Sequence, residues 1–188
     1  LPDDVKVTTY DGRAYLQAID EKYDVIMVDA YQDITIPFQM SSVEFFTMVK
    51  EHLNENGVMV VNMNMRGNNE GNINQYLSDT IASVFDHIVT VDVDGSTNRE
   101  LYASSNADMV KTLENNANET GHSDLRDMML HVADTSSVYE AGDYIMTDDK
   151  APVELLGMQV IDQLIQGEVA YYKDIFEKDG INGLLESL

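Results

Sequence analysis

The sequence predicts an α/β fold on a mostly parallel sheet, and three observations carry that expectation. Two apolar runs, residues 23–31 ("YDVIMVDAY") and 58–63 ("VMVVNM"), are near-continuous instead of alternating, which is the pattern of strands covered on both faces. A helix-period stretch with short connections lies between them, and strand–helix–strand units of that kind are parallel and right-handed. A turn-rich segment, residues 94–98, then joins two further apolar runs as an antiparallel hairpin closing the sheet.

Taken in order, residues 4–10 alternate Val5 and Val7 with polar neighbours and run into Asp11-Gly12-Arg13, a short strand ending in an acid–glycine turn. Ala14, Leu16, Ala18 and Ile19 suit a brief helix. The strand within 23–31 surfaces at Asp29, a carboxylate at the carboxyl end of an interior strand, where open α/β sheets place their ligand crevice. The loop behind it carries Asp33 and Pro37. Ser41-Ser42-Val43-Glu44 then has the form of a capping box, with Phe45, Phe46, Val49 and Leu53 on one helix face and Asn56-Gly57 as the stop. After the strand over 58–63 and a Gly/Asn loop, Ile73, Tyr76, Leu77, Ile81, Val84 and Phe85 form a periodic apolar helix face. Strands follow over 87–93 and 100–104. Two helices come next, with Met109, Val110 and Leu113 on one and Leu125, Met128, Met129 and Val132 on the other, joined by a polar linker over 115–123. Pro152, preceded by Asp148-Asp149, opens a last helix through Leu155, Leu156, Val160, Ile161, Leu164 and Ile165, and the tail from 168 reads as helical too. This organisation predicts a sheet domain over 1–106 and a helical extension packed on it over 107–188.

At 188 residues and 44% hydrophobic content the chain can bury one good core. Its 34 acids against 11 bases give a formal net charge of -23, so no basic stripe exists to bind a phosphate backbone, and nucleic acid is excluded as a partner. A field of that sign concentrates cations such as amines or polyamines, or simply keeps the surface solvated. With no cysteine there is no disulfide, thiolate metal site or cysteine nucleophile. No apolar run approaches the ~20 residues that span a bilayer, and no signal-peptide pattern opens the chain, so a soluble, cytoplasmic chain without membrane contact is expected. A start at Leu1 without methionine suggests that upstream sequence belongs to the intact protein, which could carry a membrane domain.

His52, His87, His122 and His131 show no ligand spacing, and Asp92-Val93-Asp94-Gly95 lacks the later oxygen ligands of a calcium loop, so no metal is expected. No G-x-S-x-G elbow, P-loop or G-x-G-x-x-G turn occurs. What remains are acids at strand ends, Asp11, Asp29 and Asp33, on one sheet edge. There a carboxylate can accept a hydrogen bond from a nucleotide amino group or take a proton from an amine. Asp11 is equally well a turn residue. Asp29, ending a buried strand, needs a partner or water to offset its desolvation. Tyr31 is either a rim aromatic or a surface for a ligand to pack on.

Four stretches, "LPDDVKVTTYDGRAYL", "YDVIMVDAYQDITIPFQMSSVEFFTMVKEHLNENGVMVVNM", "TNRELYAS" and "TDDKAPVELL", occur in an order and spacing that resembles the spermidine synthase-like family, a branch of the class I S-adenosylmethionine-dependent methyltransferase fold. The resemblance covers roughly residues 1 to 156. It implies a Rossmann-like sheet whose first strands, glycine-rich cofactor turn and ribose-binding acid lie upstream of Leu1. It also implies aminopropyl transfer from decarboxylated S-adenosylmethionine to a small amine, with no metal. Asp11 and Gly12 would contact the adenine, Asp29 would act as base toward the attacking amine, and Tyr31 and Asp33 would line the amine side. The loop departs from the family's Asp-Ser-Ser-Asp-Pro, since Asp29-Ala30-Tyr31-Gln32-Asp33 places the second acid one position later and the proline at Pro37. Methyl transfer from S-adenosylmethionine is the nearest alternative, and a non-catalytic synthase-like module is another. With strands missing, the resemblance further implies a naked sheet edge and a homo-oligomer formed through it.

Overall fold

The computed structural model describes residues 2, 4–30, 36–63 and 70–187. Its centre is a five-stranded mixed sheet in the order β1-β2-β4-β3-β5, formed by β1 (Tyr23–Val28), β2 (Leu53–Met63), β3 (His87–Asp92), β4 (Arg99–Ser104) and the two-residue β5 (Ser137–Val138). Strands β1 and β2 run parallel, with Val25 opposite Val58 and Val28 opposite Val61. The expected hairpin is present as β3 and β4, antiparallel throughout, and β4 inserts beside β2 with Val61 opposite Leu101. The α/β class therefore stands. Among the described residues its parallel character rests on the β1–β2 pair, the other pairings being antiparallel.

Helices α1 (Gly12–Gln17), α2 (Val43–Glu51) and α3 (Ile73–Ala82) precede the hairpin, and α4 (Met109–Glu119), α5 (Ser123–Thr135) and α6 (Val153–Ser187) follow it. One sheet face buries Val28, Met59, Val61, Met63, Leu101 and Ala103 in a single core with Phe45, Phe46, Leu77 and Ile81 from α2 and α3. Met146, Val153 and Leu156 close that core from the chain's last third. On the other face, α4 and α5 roof Val58, Val60, Val89 and Tyr102 over an apolar cavity of about 360 Å³.

Several expectations are corrected. Residues 5–9 form no strand, and Val5 and Val7 are exposed, because no described strand lies beside them to pair with. Among the described residues strand β1 is an edge, not an interior strand: β2 alone pairs with it there, and its second face leaves Val25 and Met27 at 55% and 72% exposure. Double burial needs cover on both faces, and α4 and α5 reach Val25 only across an open cavity and leave this face of β1 largely exposed. The capping box is also rearranged. The α2 N-cap is Ser42, whose Oγ accepts from Phe45 N–H, while Glu44 turns outward to accept from the Asp148 N–H. That helix stops at His52, and Leu53 already belongs to β2, so residues 54–57 loop out between the Tyr23–Leu53 and Val25–Val58 pairs. Gly57 fits there because a Cβ would sit 3.0 Å from both Tyr23 O and Leu53 Cβ. The polar linker over 115–123 is shortened as well, since α4 continues to Glu119.

His52 locks this corner. Its Nδ1 lies 2.8 Å from Met48 O and its Nε2 3.0 Å from Ile19 O, and these two carbonyls raise its pKa above the ordinary 6.5 by favouring the doubly protonated ring. The stabilisation is full below the unfolded value and is lost as pH rises through the higher folded one. Urea midpoints should therefore fall as pH is raised above 6.5, and His52→Gln should flatten that dependence.

Candidate functional site

The carboxyl end of β1 carries Asp29, exposed and one residue beyond the strand. Parallel pairing brings the matching end of β2 alongside, so Asn62 Nδ2 donates to Asp29 Oδ1 at 3.2 Å. On the other side of β2, the antiparallel register sets Glu100 opposite Asn62. Three side chains from three strands thus converge. Burial first, and then the negative charge of Asp29, push the Glu100 carboxyl above its usual range. Since Asp29 fixes the Asn62 amide with its nitrogen toward the carboxylate, Asn62 Oδ1 is left buried without a partner among the described residues. An unpaired buried acceptor is costly, and this one sits beside two acids. The local field is therefore made for a cation that brings N–H donors.

Part of the Glu100 shift comes from Asp29. In Asp29→Asn the Glu100 pKa should fall while staying above the ordinary carboxylate range, because burial is the larger cause and remains. Titration of the Glu100 side-chain carboxyl by carbon-detected NMR checks this.

Asp11 starts α1 as its N-cap, with Oδ1 accepting from the Ala14 N–H at 2.8 Å. Gly12 is the first helical residue, and a Cβ there would meet only Met40 Cε at an ordinary 3.6 Å. The next residue, Arg13, donates to Gln39 O and forms a paired contact with Asp148 at 2.7 and 2.6 Å. Ser42 donates to the same carboxylate at 2.5 Å. Arg13 and Ser42 together hold Asp148 below the usual carboxylate range. This network ties the start of α1 to the start of α2, the helix that follows the carboxyl end of β1. Tyr31 and Asp33 lie outside the described residues. The apolar cavity of about 360 Å³ includes Asp24 and Val25 and none of the acids above, so it is a packing feature of the second sheet face.

Asn62, Glu100, Arg13 and Asp148 were not singled out from the sequence as site residues. Asn62 had a readable signal, an amide inside the otherwise apolar run 58–63. Glu100 and Asp148 did not, because their position depends on the antiparallel insertion of β4 and on the fold of residues 139–148.

The spermine/spermidine synthase domain family matches residues 2–94. A protein of Bifidobacterium longum (strain NCC 2705), named a probable polyamine aminopropyl transferase, is 53% identical over 204 aligned positions covering all of this chain. The chain spans 46% of that relative's length. Among solved structures, human methyltransferase-like protein 13 in complex with SAH superposes with a TM-score of 0.50 at 20% identity, over 69% of this chain and 58% of that one. A probable spermidine synthase from Corynebacterium glutamicum ATCC 13032 gives a TM-score of 0.43 at 17% identity, over 76% and 56%. The human structure supports the class I methyltransferase-like fold alone. Among the described residues no helix is long and apolar enough to cross a membrane, and no cluster of potential ligands could hold a metal ion. By the family match over residues 2–94 and the 53% identity to that relative along the whole of this chain, the chain belongs to the spermidine synthase-like family.

Proposed function

We propose that the protein containing this chain transfers an aminopropyl group from decarboxylated S-adenosylmethionine to a small amine, with the amine held at Asp29, Asn62 and Glu100. The observation that carries this is the acceptor cluster itself: two acids and an unpaired amide oxygen, with no competing cation among the residues that form it. An ammonium supplies the donors such a cluster lacks, and the chain's net charge of -23 draws cations toward it. The sulfonium of the co-substrate supplies an electrophilic carbon. Asp29 takes a proton from the bound ammonium, which frees the nitrogen lone pair to form a bond to the propyl carbon next to sulfur. The carbon–sulfur pair leaves with the sulfur as methylthioadenosine, and the product departs as a secondary ammonium. General-base help of this kind is worth ~10²–10⁴ in rate. Tyr31 and Asp33 would line the amine side, and Asp11 and Gly12 would hold the adenine. The free Asp11 oxygen can accept from the adenine amino group while the other caps α1.

Two assays test this reading. With decarboxylated S-adenosylmethionine and a diamine, the protein extended to its relatives' length should release methylthioadenosine and an aminopropylated amine. S-adenosylhomocysteine formed from S-adenosylmethionine would favour methyl transfer instead. Asp11→Ala should weaken nucleotide binding by roughly 1–3 kcal/mol for a lost hydrogen bond to a charged group, and should cost stability by about 1 kcal/mol for the lost cap. Calorimetric titration and thermal unfolding separate the two effects.

A further inference from the structure

We infer that Arg13 and Asp148 are positioning residues for the proposed transfer: their ion pair fixes the turn at Asp11-Gly12 against the loop behind Asp29. It rests on the proposed aminopropyl transfer, which puts the nucleotide on the first of these segments and the amine on the second. Reactants held on separate segments need one segment set relative to the other, and a misplacement of about 1 Å can cost ~10²-fold in rate. Packing does little of this for α1. The helix has six residues, none of them buried, and Leu16 is its one side chain packed partly against the core. Polar contacts hold its two ends instead. Beyond its last turn, Ile19 O lies 3.0 Å from His52 Nε2, and in its first turn stands the Arg13 fork.

Asp148 stands on a rigid base. Met146, two residues before it, is 0% exposed, and both of its backbone groups are bonded: its N–H donates to Thr80 Oγ1 and its carbonyl accepts from Val43 N–H, each at 2.9 Å. Thr147 and Lys150 then exchange two backbone hydrogen bonds, at 3.1 and 2.9 Å, closing a tight turn that contains Asp148. The Asp148 N–H donates to Glu44 Oε2 at 3.0 Å, which ties that turn to α2. From this base Oδ2 takes one arm of the guanidinium, while Oδ1 takes the other arm and the Ser42 hydroxyl. Arg13 Nη1 also donates to Gln39 O at 2.9 Å. Gln39 lies in the short helical turn Phe38–Met40 and Ser42 caps α2, so both mark where the loop behind Asp29 ends. A fully exposed ion pair contributes little. Here the Arg13 and Asp148 side chains are 21% and 40% exposed, and a two-pronged guanidinium–carboxylate contact fixes direction as well as distance.

In the protein extended to its relatives' length, Arg13→Lys and Asp148→Asn should each lower the single-turnover rate at saturating substrates by roughly tenfold to a hundredfold. The Kd for the diamine, measured by calorimetry, should stay within twofold. The double variant should be no slower than the slower single, because both substitutions disable one contact. Ile88→Val, in β3 and 5% exposed, lowers stability at a distance from this contact and should leave the rate within twofold. Amide exchange in the 188-residue chain reads the same contact without substrate. There Asp148→Asn should speed exchange of the Tyr15 N–H, which is bonded to Asp11 O, by about fivefold or more, with the Leu77 amide of α3 unchanged. Single-turnover rates within twofold of the parent in both variants overturn the positioning role. So does a Tyr15 amide indifferent to Asp148→Asn, or a rate that falls as far in Ile88→Val, which would mark a general loss of folded protein. A parent protein that transfers nothing contradicts the proposed function instead, and the Tyr15 exchange then upholds or overturns the hold of Asp148 on the Asp11-Gly12 turn.

Discussion

Asp29→Asn, in the protein extended to its relatives' length, is expected to lower aminopropyl transfer by ~10²–10⁴ while leaving nucleotide binding within twofold. The substitution keeps the shape of the side chain and its neighbour Asn62, and it removes the proton acceptor. The reaction needs the bound ammonium to lose a proton before its lone pair can be committed to carbon. Asp29 is the exposed carboxylate of the cluster, whereas Glu100 lies across β2 from it and Asp148 is committed to Arg13 and Ser42. Single-turnover kinetics separates the chemical step from binding. Unchanged single-turnover rates in Asp29→Asn would remove Asp29 from the role of base.

The largest expected effect on stability is at Asp79. This side chain is 1% exposed, yet it is an acid in the middle of α3. It accepts from Tyr139 Oη at 2.6 Å, from Gly142 N–H at 2.9 Å and from Tyr144 N–H at 3.1 Å, so one carboxylate pins the strap that runs from β5 toward α6. The strap passes so close that a Cβ on Gly142 would fall 2.5 Å from Asp79 Oδ2. Burial and this hydrogen bond push the Tyr139 hydroxyl well above its usual range, so it stays a donor across the working pH range. Asp79→Ala leaves two backbone donors and a hydroxyl unpaired. The expected cost is roughly 3–5 kcal/mol, or on the order of 10 °C in melting temperature for a chain this size. Gly142→Ala should destabilise through the same contact by steric conflict, and the pair should be strongly non-additive. A melting temperature within a degree of wild type in Asp79→Ala would show that the strap is held by other means.

The sequence made some of this legible and hid the rest for physical reasons. Helices α2, α3, α4 and α5 and the β3–β4 hairpin were readable because local periodicity and turn chemistry determine them. Periodicity does not report what lies beside a strand. Val25 and Met27 have the composition of core residues but stand exposed on an edge, and Val5 and Val7 alternate like a strand without a partner. The position of Asp29 at the end of β1 was readable from the run that precedes it. Its company was not. Asn62 arrives through parallel register and Glu100 through a long-range antiparallel insertion, and neither follows from spacing along the chain. Asp79 lies outside the periodic apolar set of its helix, and the strap that buries it comes some 60 residues later, beyond the reach of local pattern.

The proposed site for a cationic amine, at the carboxyl end of β1, is formed by Asp29, Asn62 and Glu100, all of them present in this chain. Nitrogen-15 NMR titration of the 188-residue chain with a diamine tests it most directly. The Asn62 side-chain amide should be among the largest shifts, the response should saturate, and Asp29→Asn with Glu100→Gln should abolish it. Shifts spread over the acidic surface with Asn62 unmoved, and unchanged in the double variant, would mean that the negative field attracts amines without a site to receive them.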